Sequence, residues 1–450
     1  MEQVFGPIAH GVLDLLVKML PLEDTPLWFD SIEDALATFQ VEFARPEFTV
    51  APPDVFEELT SDDAIALIAF WGIGQAFLRG AGEGWEINLT YMAKYDVRPG
   101  YEKYGARAIF DRNQELSSIY CSYNDKWVFK DKDSGSDLWE HAKWMWKATL
   151  GMALTGTTHL AQVHWVVANA AHIGCREKLG QDHPIRKVLK VFLFNTGAVN
   201  YASTSKLFPK DSFLQRVSSL TNEGLVNLIQ DSVCSFKYET YPDFIAAKSL
   251  GPALCHLPLV ADALPVWEAF HAFFKGYVDV FYADDAAVAA DSELGEYWAC
   301  VETRGDPESP LKYGLPALTR AALVDHLAHH AFTVTAWHEL VGGLVPYVTT
   351  PTGMPAKVRP GTEVMDVQTF VHGLCITGLT GLRQPQLLGD WTHLMPERPA
   401  AARHLHGVLM KTLQGISAEI DARNASAPCA TRRRRVDSFN PRTFECSVSA

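Results

Sequence analysis

The stretch WEHAKWMWKATLGMALTGTTHLAQVH, residues 139–164, reads as helix from end to end, with apolar side chains recurring at helical spacing. It closes on two histidines five apart, His159 and His164. Imidazole is the commonest protein ligand for borderline metals such as iron, manganese and zinc. In a regular α-helix, positions five apart differ by about 140° and face away from each other. The two rings can share one ion only where the helix widens through an i→i+5 turn, which brings both onto nearly one face. One core and one surface histidine is the plainer alternative, and spacing by itself leaves both open.

Beyond this stretch, helical periodicity continues over 183–204, 257–290, 317–345, 364–381 and 400–424. The segment DHLAHHAFTVTAWHE (325–339) holds a second histidine cluster, His326, His329, His330 and His338. His326 and His330, four apart, form a natural metal-binding pair on an ordinary helix; His338 lies two turns further on. On the N-terminal side the pattern changes. WEINLTYM, ARAIFDR, LSSIYCSY and KWVFK are short, rich in β-branched and aromatic residues, and separated by turn residues. They predict a small antiparallel sheet over about 85–130. Residues 1 to about 80 read as helices broken by Pro-rich loops such as RPEFTVAPPDVFEE (45–58), with GIGQAFLRGAG (72–82) as a turn between helices. The expected fold is mainly α: one large helical domain, 1–450, with a small antiparallel β-sheet near the N-terminal third.

Of the 450 residues, 48% are hydrophobic and 20% charged, enough apolar material for a deep core. The net charge of -14 argues against nucleic acid or an anionic membrane surface as a partner. The one dense basic run, Arg432 to Arg435, reads as a solvated loop. The cysteines, at 121, 175, 234, 255, 300, 375, 429 and 446, form no CxxC pair and read as reduced thiols. No signal peptide and no membrane-length apolar run is legible, so the expectation is a cytoplasmic protein without a stable membrane anchor. HExxH, GxSxG and Walker loops are all absent from the sequence, and CREKLG (175–180) has no histidine placed to activate a thiol. The last residues, TFECSVSA, turn apolar again, which points to a docked chain end rather than a free tail.

Taken together, these segments resemble the catalytic domain of lipoxygenases over most of 85–450. Trp139, Ala142 and Lys143 match the family's opening before its first two histidines. The run REKLGQDHPIRKVLKVFLFNTGAVN matches at Arg176, Leu179, His183, Pro184, Ile185, Thr196 and Asn200. The stretch from Trp267 to Leu294 matches at Tyr277, Val278, Tyr282, Asp284, Val288, Asp291 and Glu293. IDARN (420–424) and the closing FNPRTFECSVSA resemble the family's terminal motifs, and AFTVTAWH its third-ligand pattern.

The resemblance implies one non-haem iron per chain, with manganese admissible, held by His159, His164, His338 and the C-terminal carboxylate of Ala450. The 326/330 pair remains the alternative. It further implies that Leu207 clamps an apolar polyene substrate, that Ser203 stands where the site of O2 attack is biased, and that the product is a hydroperoxide. A monomer without an N-terminal β-sandwich is expected. Three departures stand out: Gly342 where the family carries Asn or His, Ala450 in place of Ile, and Leu150 and Leu154 in place of Asp and His. They keep two other readings open. One is a different iron oxygenase or hydroperoxide-converting enzyme on the same fold, and the other is a silent lipid-binding relative.

Overall fold

In the computed structural model the described residues are 61–344, 347, 354–361, 385–389, 391, 400–426 and 438–448. Ser61 caps helix α1 (Asp62–Phe70), its hydroxyl accepting from Ala64 N at 3.1 Å. The next residue, Asp62, accepts from Trp139 Nε1 at 2.7 Å and from Lys143 Nζ at 3.1 Å. The Trp139 and Lys143 positions thus moor helix α2 (Asp137–Ala153) to α1.

Five strands form one antiparallel meander in the order β1 (Arg79–Ala81), β2 (Gly84–Asn88), β3 (Ala106–Phe110), β4 (Leu116–Cys121), β5 (Lys126–Phe129). Alternate residues of β3, Ala106, Ala108 and Phe110, are buried, and Phe70 of α1 packs edge-on against both Trp85 and Phe110. The sheet begins earlier than its periodicity indicates. GIGQAFLRGAG is no inter-helix turn: a 3-10 turn (Ile73–Ala76) leads straight into β1. Gly80 donates its N–H to the Lys248 carbonyl at 2.9 Å, and a Cβ there would sit 2.1 Å from the Ser249 carbonyl oxygen. Close backbone approach requires glycine here, and a glycine strand carries no β-branched signal.

From α2 the chain continues without a break through a widened π segment, π1 (Leu154–Ala168), into α3 (Asn169–Lys178). Next come α4 (Pro184–Phe192), α5 (Thr196–Ala202) and a second π turn, π2 (Ser203–Leu207). The continuous helix read over 183–204 is therefore interrupted, at Asn195, whose φ of 57° lies in the left-handed region that asparagine tolerates. The remaining helices used below are α6 (Asn222–Ser235), α7 (Ala263–Phe281), α8 (Ser292–Glu302), α9 (Arg320–Phe332), π3 (Thr333–Trp337), α10 (His338–Gly342) and α11 (Ala400–Ser426). The periodic stretch 364–381 lies outside the described residues.

Helix α7 packs against both α9 and α11. Buried Asp262 accepts two hydrogen bonds from the Arg423 guanidinium, at 2.5 and 2.9 Å, tying the start of α7 to α11. Several positions that carried the resemblance form a second tie. Tyr282 donates to Asp291 Oδ2 at 2.7 Å, His183 Nε2 lies 3.0 Å from the same oxygen, and Tyr277 donates to the Pro184 carbonyl at 2.9 Å. They hold α4 against the α7–α8 region. The tail is docked as its composition indicates: Phe439, Phe444, Cys446 and Val448 show 0% exposure. Among the described residues no helix is long and apolar enough to cross a membrane.

Candidate metal centre

Threonines prepare the site. Thr155 Oγ1 donates to the Gly151 carbonyl at 2.9 Å, and Thr157 Oγ1 to Ala153 O at 2.5 Å, where the helix passes into π1. Thr335 Oγ1 donates to Ala331 O at 2.7 Å in π3. In π2 the same part is played by Ser205, donating to Tyr201 O at 2.6 Å. Hydroxyls that bond back to the carbonyl four residues earlier compete with the backbone N–H and favour a bent or loosened helix. The widening that His159 and His164 need is present, and it spans fifteen residues, Leu154–Ala168. The second widening, just before His338, was not read from the sequence, although the clustered threonines of TGTTH and TVTAWH precede both sites.

The result is a triangle of imidazole nitrogens. His159 Nε2 lies 3.0 Å from His338 Nε2, His164 Nε2 lies 3.1 Å from His159 Nε2, and His164 and His338 are 3.2 Å apart. Metal–nitrogen bonds of about 2.1 Å at right angles place two nitrogens about 3.0 Å apart. The triangle therefore fits three adjacent positions around a single ion. Burial pushes the His164 pKa down to about 4, against the opposing effect of its hydrogen bond to Asn200 Oδ1. Burial first, then the neighbouring rings, holds His159 and His338 well below the ordinary histidine range. All three are neutral near pH 7, the form a metal binds.

Asn200 settles which nitrogen of His164 is bare. Its Nδ2 donates to the His164 carbonyl at 2.9 Å, which orients the amide and turns Oδ1 toward His164 Nδ1 at 3.1 Å. Nδ1 must then carry the proton, leaving the Nε2 lone pair facing the other two histidines. Asn200 had no assigned role from the sequence; it was visible only as part of the Thr196 to Asn200 match.

Gly342, one turn after His338, is beside the triangle. A Cβ there would lie 3.0 Å from His159 Nε2 and 3.4 Å from Cε1. Leu150 and Leu154 are fully buried core residues. Ser203 is 4% exposed and fully engaged: its Oγ accepts from Trp165 Nε1 at 2.8 Å and donates to Asn200 O at 2.8 Å. Leu207, at the end of π2, is half-buried. Ala450 lies outside the described residues, as do Cys375, Cys429 and the run Arg432 to Arg435.

Among the described residues the alternative histidine pair meets no third ligand. His326 Nε2 meets Tyr297 Oη at 2.8 Å, and His330 Nε2 donates to the Phe192 carbonyl at 3.2 Å. Among the described residues, His159, His164 and His338 are the one group of three placed to hold an ion. A separate cleft of about 800 Å³ runs along π1 and π3 and is lined in part by Gln162, Thr333 and Trp337; neither Leu207 nor Ser203 borders it.

A helical scaffold that widens two helices to gather three neutral imidazoles defines a class of protein built around one buried donor set. The lipoxygenase family profile matches residues 115–348, more than half of the chain. The chain belongs to the lipoxygenase family. It is 26% identical over 292 residues to the hydroperoxide isomerase ALOXE3 of Rattus norvegicus, covering 60% of this chain and 40% of that protein. It is 24% identical over 276 residues to a manganese lipoxygenase of Colletotrichum gloeosporioides, covering 58% and 44%. The chain thus spans under half the length of these curated relatives. A lipoxygenase crystal structure in complex with arachidonate superposes with a TM-score of 0.81 at 15% identity, covering 99% of this chain and 73% of that one.

Proposed function

We propose that this chain is a non-haem iron dioxygenase that inserts O2 into a polyunsaturated fatty acid or a similar apolar polyene. The observation that carries the reading is the 3.0 to 3.2 Å triangle of Nε2 atoms, with the His164 tautomer set by Asn200. In this reading His159, His164, His338 and the carboxylate of Ala450 hold the metal. Manganese suits the same donors. The metal, when bound, supplies one-electron redox chemistry; the protein supplies position and dryness.

The hydrogen removed from the methylene between two cis double bonds returns to the peroxyl oxygen, so substrate and O2 give a hydroperoxide without an external reductant. Leu207 clamps the polyene. Ser203 acts through its small size, because both polar capacities of its hydroxyl are taken within the protein. The chain acts as one catalytic domain over 1–450, a cytoplasmic monomer.

A second reading is favoured by Gly342. Lacking a side chain beside His159, this position supplies no ligand to the donor set, and conversion of a preformed hydroperoxide becomes the rival activity. An oxygen electrode separates the two. Metal-loaded protein given arachidonate or linoleate should consume O2 and accumulate conjugated-diene hydroperoxide. Consumption of added hydroperoxide without O2 uptake would favour the rival, and neither activity in a metal-loaded protein would remove both.

A further inference from the structure

Helix α4 ends at Phe192, where the last carbonyls of a helix have no intrahelical donor. The Phe192 carbonyl takes two side-chain donors instead, His330 Nε2–H at 3.2 Å and Ser447 Oγ–H at 3.0 Å. With that proton committed, Ser447 Oγ accepts from Thr196 Oγ1–H at 3.0 Å. Phe192, Thr196, His330 and Ser447 all show 0% exposure, so each bond stands in a dry interior. Thr196 and Asn200 are four apart on α5, one above the other on the same face. One turn of this short helix holds the tail through Ser447, and the next holds His164.

We propose that α5 is a bracket that sets the register of the chain's terminal carboxylate against His164. Thr196 and Ser447 are its positioning residues, and the Phe192 carbonyl with His330 is the fixed post. The inference rests on the metal reading given above. Ser447 stands three residues before Ala450, an extended reach of about 10 Å. In that reading a slip of the tail at Ser447 is passed on to the carboxylate. The bracket also accounts for His330, buried and conspicuous in the sequence, without making it a ligand.

The test compares Thr196→Val, which keeps the shape and removes the hydroxyl, Thr196→Ser, which keeps the hydroxyl, and Ser447→Ala. Two quantities are read on the full chain: hydrogen exchange of the tail amides 444–448, and the rate of iron release to a chelator together with the electron paramagnetic resonance signal. Thr196→Val and Ser447→Ala should each raise tail exchange and speed iron release by about tenfold or more. Thr196→Ser should restore both, and the double variant Thr196→Val, Ser447→Ala should be little worse than Ser447→Ala, because Ser447→Ala already breaks the one bond that Thr196→Val removes. Wild-type tail exchange in Thr196→Val would overturn the bracket. A loosened tail with unchanged iron release and resonance would overturn its positioning role, as would a Thr196→Ser variant as impaired as Thr196→Val. A wild-type chain that binds no metal would instead overturn the metal reading, with tail exchange still deciding whether Thr196 holds the tail.

Discussion

Gly342→Ala is the smallest change that reaches the candidate centre. The added methyl would sit 3.0 Å from His159 Nε2 and 3.4 and 3.5 Å from two ring carbons. Unstrained contacts lie at about 3.5 to 4.0 Å, so the ring or the helix must give way by roughly half an ångström. Overpacking of this kind costs about 1 to 3 kcal/mol. If the free protein relieves the clash by swinging His159 away, the cost appears on metal binding as a roughly 5- to 150-fold weaker affinity. If the triangle is held rigidly, it appears in the melting temperature of the metal-free protein instead.

Chelator competition and a thermal melt of the metal-free form capture both routes, and their sum is the expected quantity. Gly342→Asn adds the same clash but carries an amide oxygen able to reach the donor set. It should recover affinity relative to Gly342→Ala and alter the electron paramagnetic resonance signal. A Gly342→Ala protein with wild-type affinity and wild-type melting would refute the geometry, since no room exists for that methyl without movement.

Three further outcomes follow from the same geometry. Alanine at His159, His164 or His338 should strip metal, while His326→Gln, altering a ring that faces Tyr297, should leave metal stoichiometry at the wild-type value by elemental analysis. Asn200→Leu, similar in size, removes both contacts to His164 and should weaken metal affinity about 10- to 100-fold, with the far-ultraviolet circular dichroism unchanged. Acid should destabilise the metal-free fold. Burial lowers the pKa of His164 and of His330 to about 4, so between that value and the ordinary 6.5 the unfolded chain binds protons that the folded chain does not. Stability is therefore lost as pH falls through this window, by up to about 2 kcal/mol per group between pH 6.5 and 5. Unfolding midpoints in urea that do not fall between pH 7 and 5 would contradict the burial of these rings.

Burial periodicity is local, and much of what depends on it was legible in the chain. Helices α6 and α8 nevertheless lie outside the stretches it picked out, and the stretch read over 257–290 divides into Pro258–Ala261, α7 and Asp285–Ala290. The mainly helical fold, strands β2 to β5, the docked apolar tail and the helix from Trp139 to His164 all follow from which side chains must leave water. The resemblance carried by scattered residues placed His338 beside the other two histidines. Spacing alone favoured His326 and His330, because it measures distance along one helix and the third histidine comes from another. His159 and His338 are 179 residues apart, and only the packing of π1 against α10 brings their nitrogens to 3.0 Å. The same holds for Asn200 setting the His164 tautomer, for Thr196 meeting Ser447 across 251 residues, and for the His159 ring lying against Gly342. Strand β1 escaped for a different reason: its glycine is required by a neighbouring backbone, and a residue selected for what it lacks leaves no hydrophobic pattern to read.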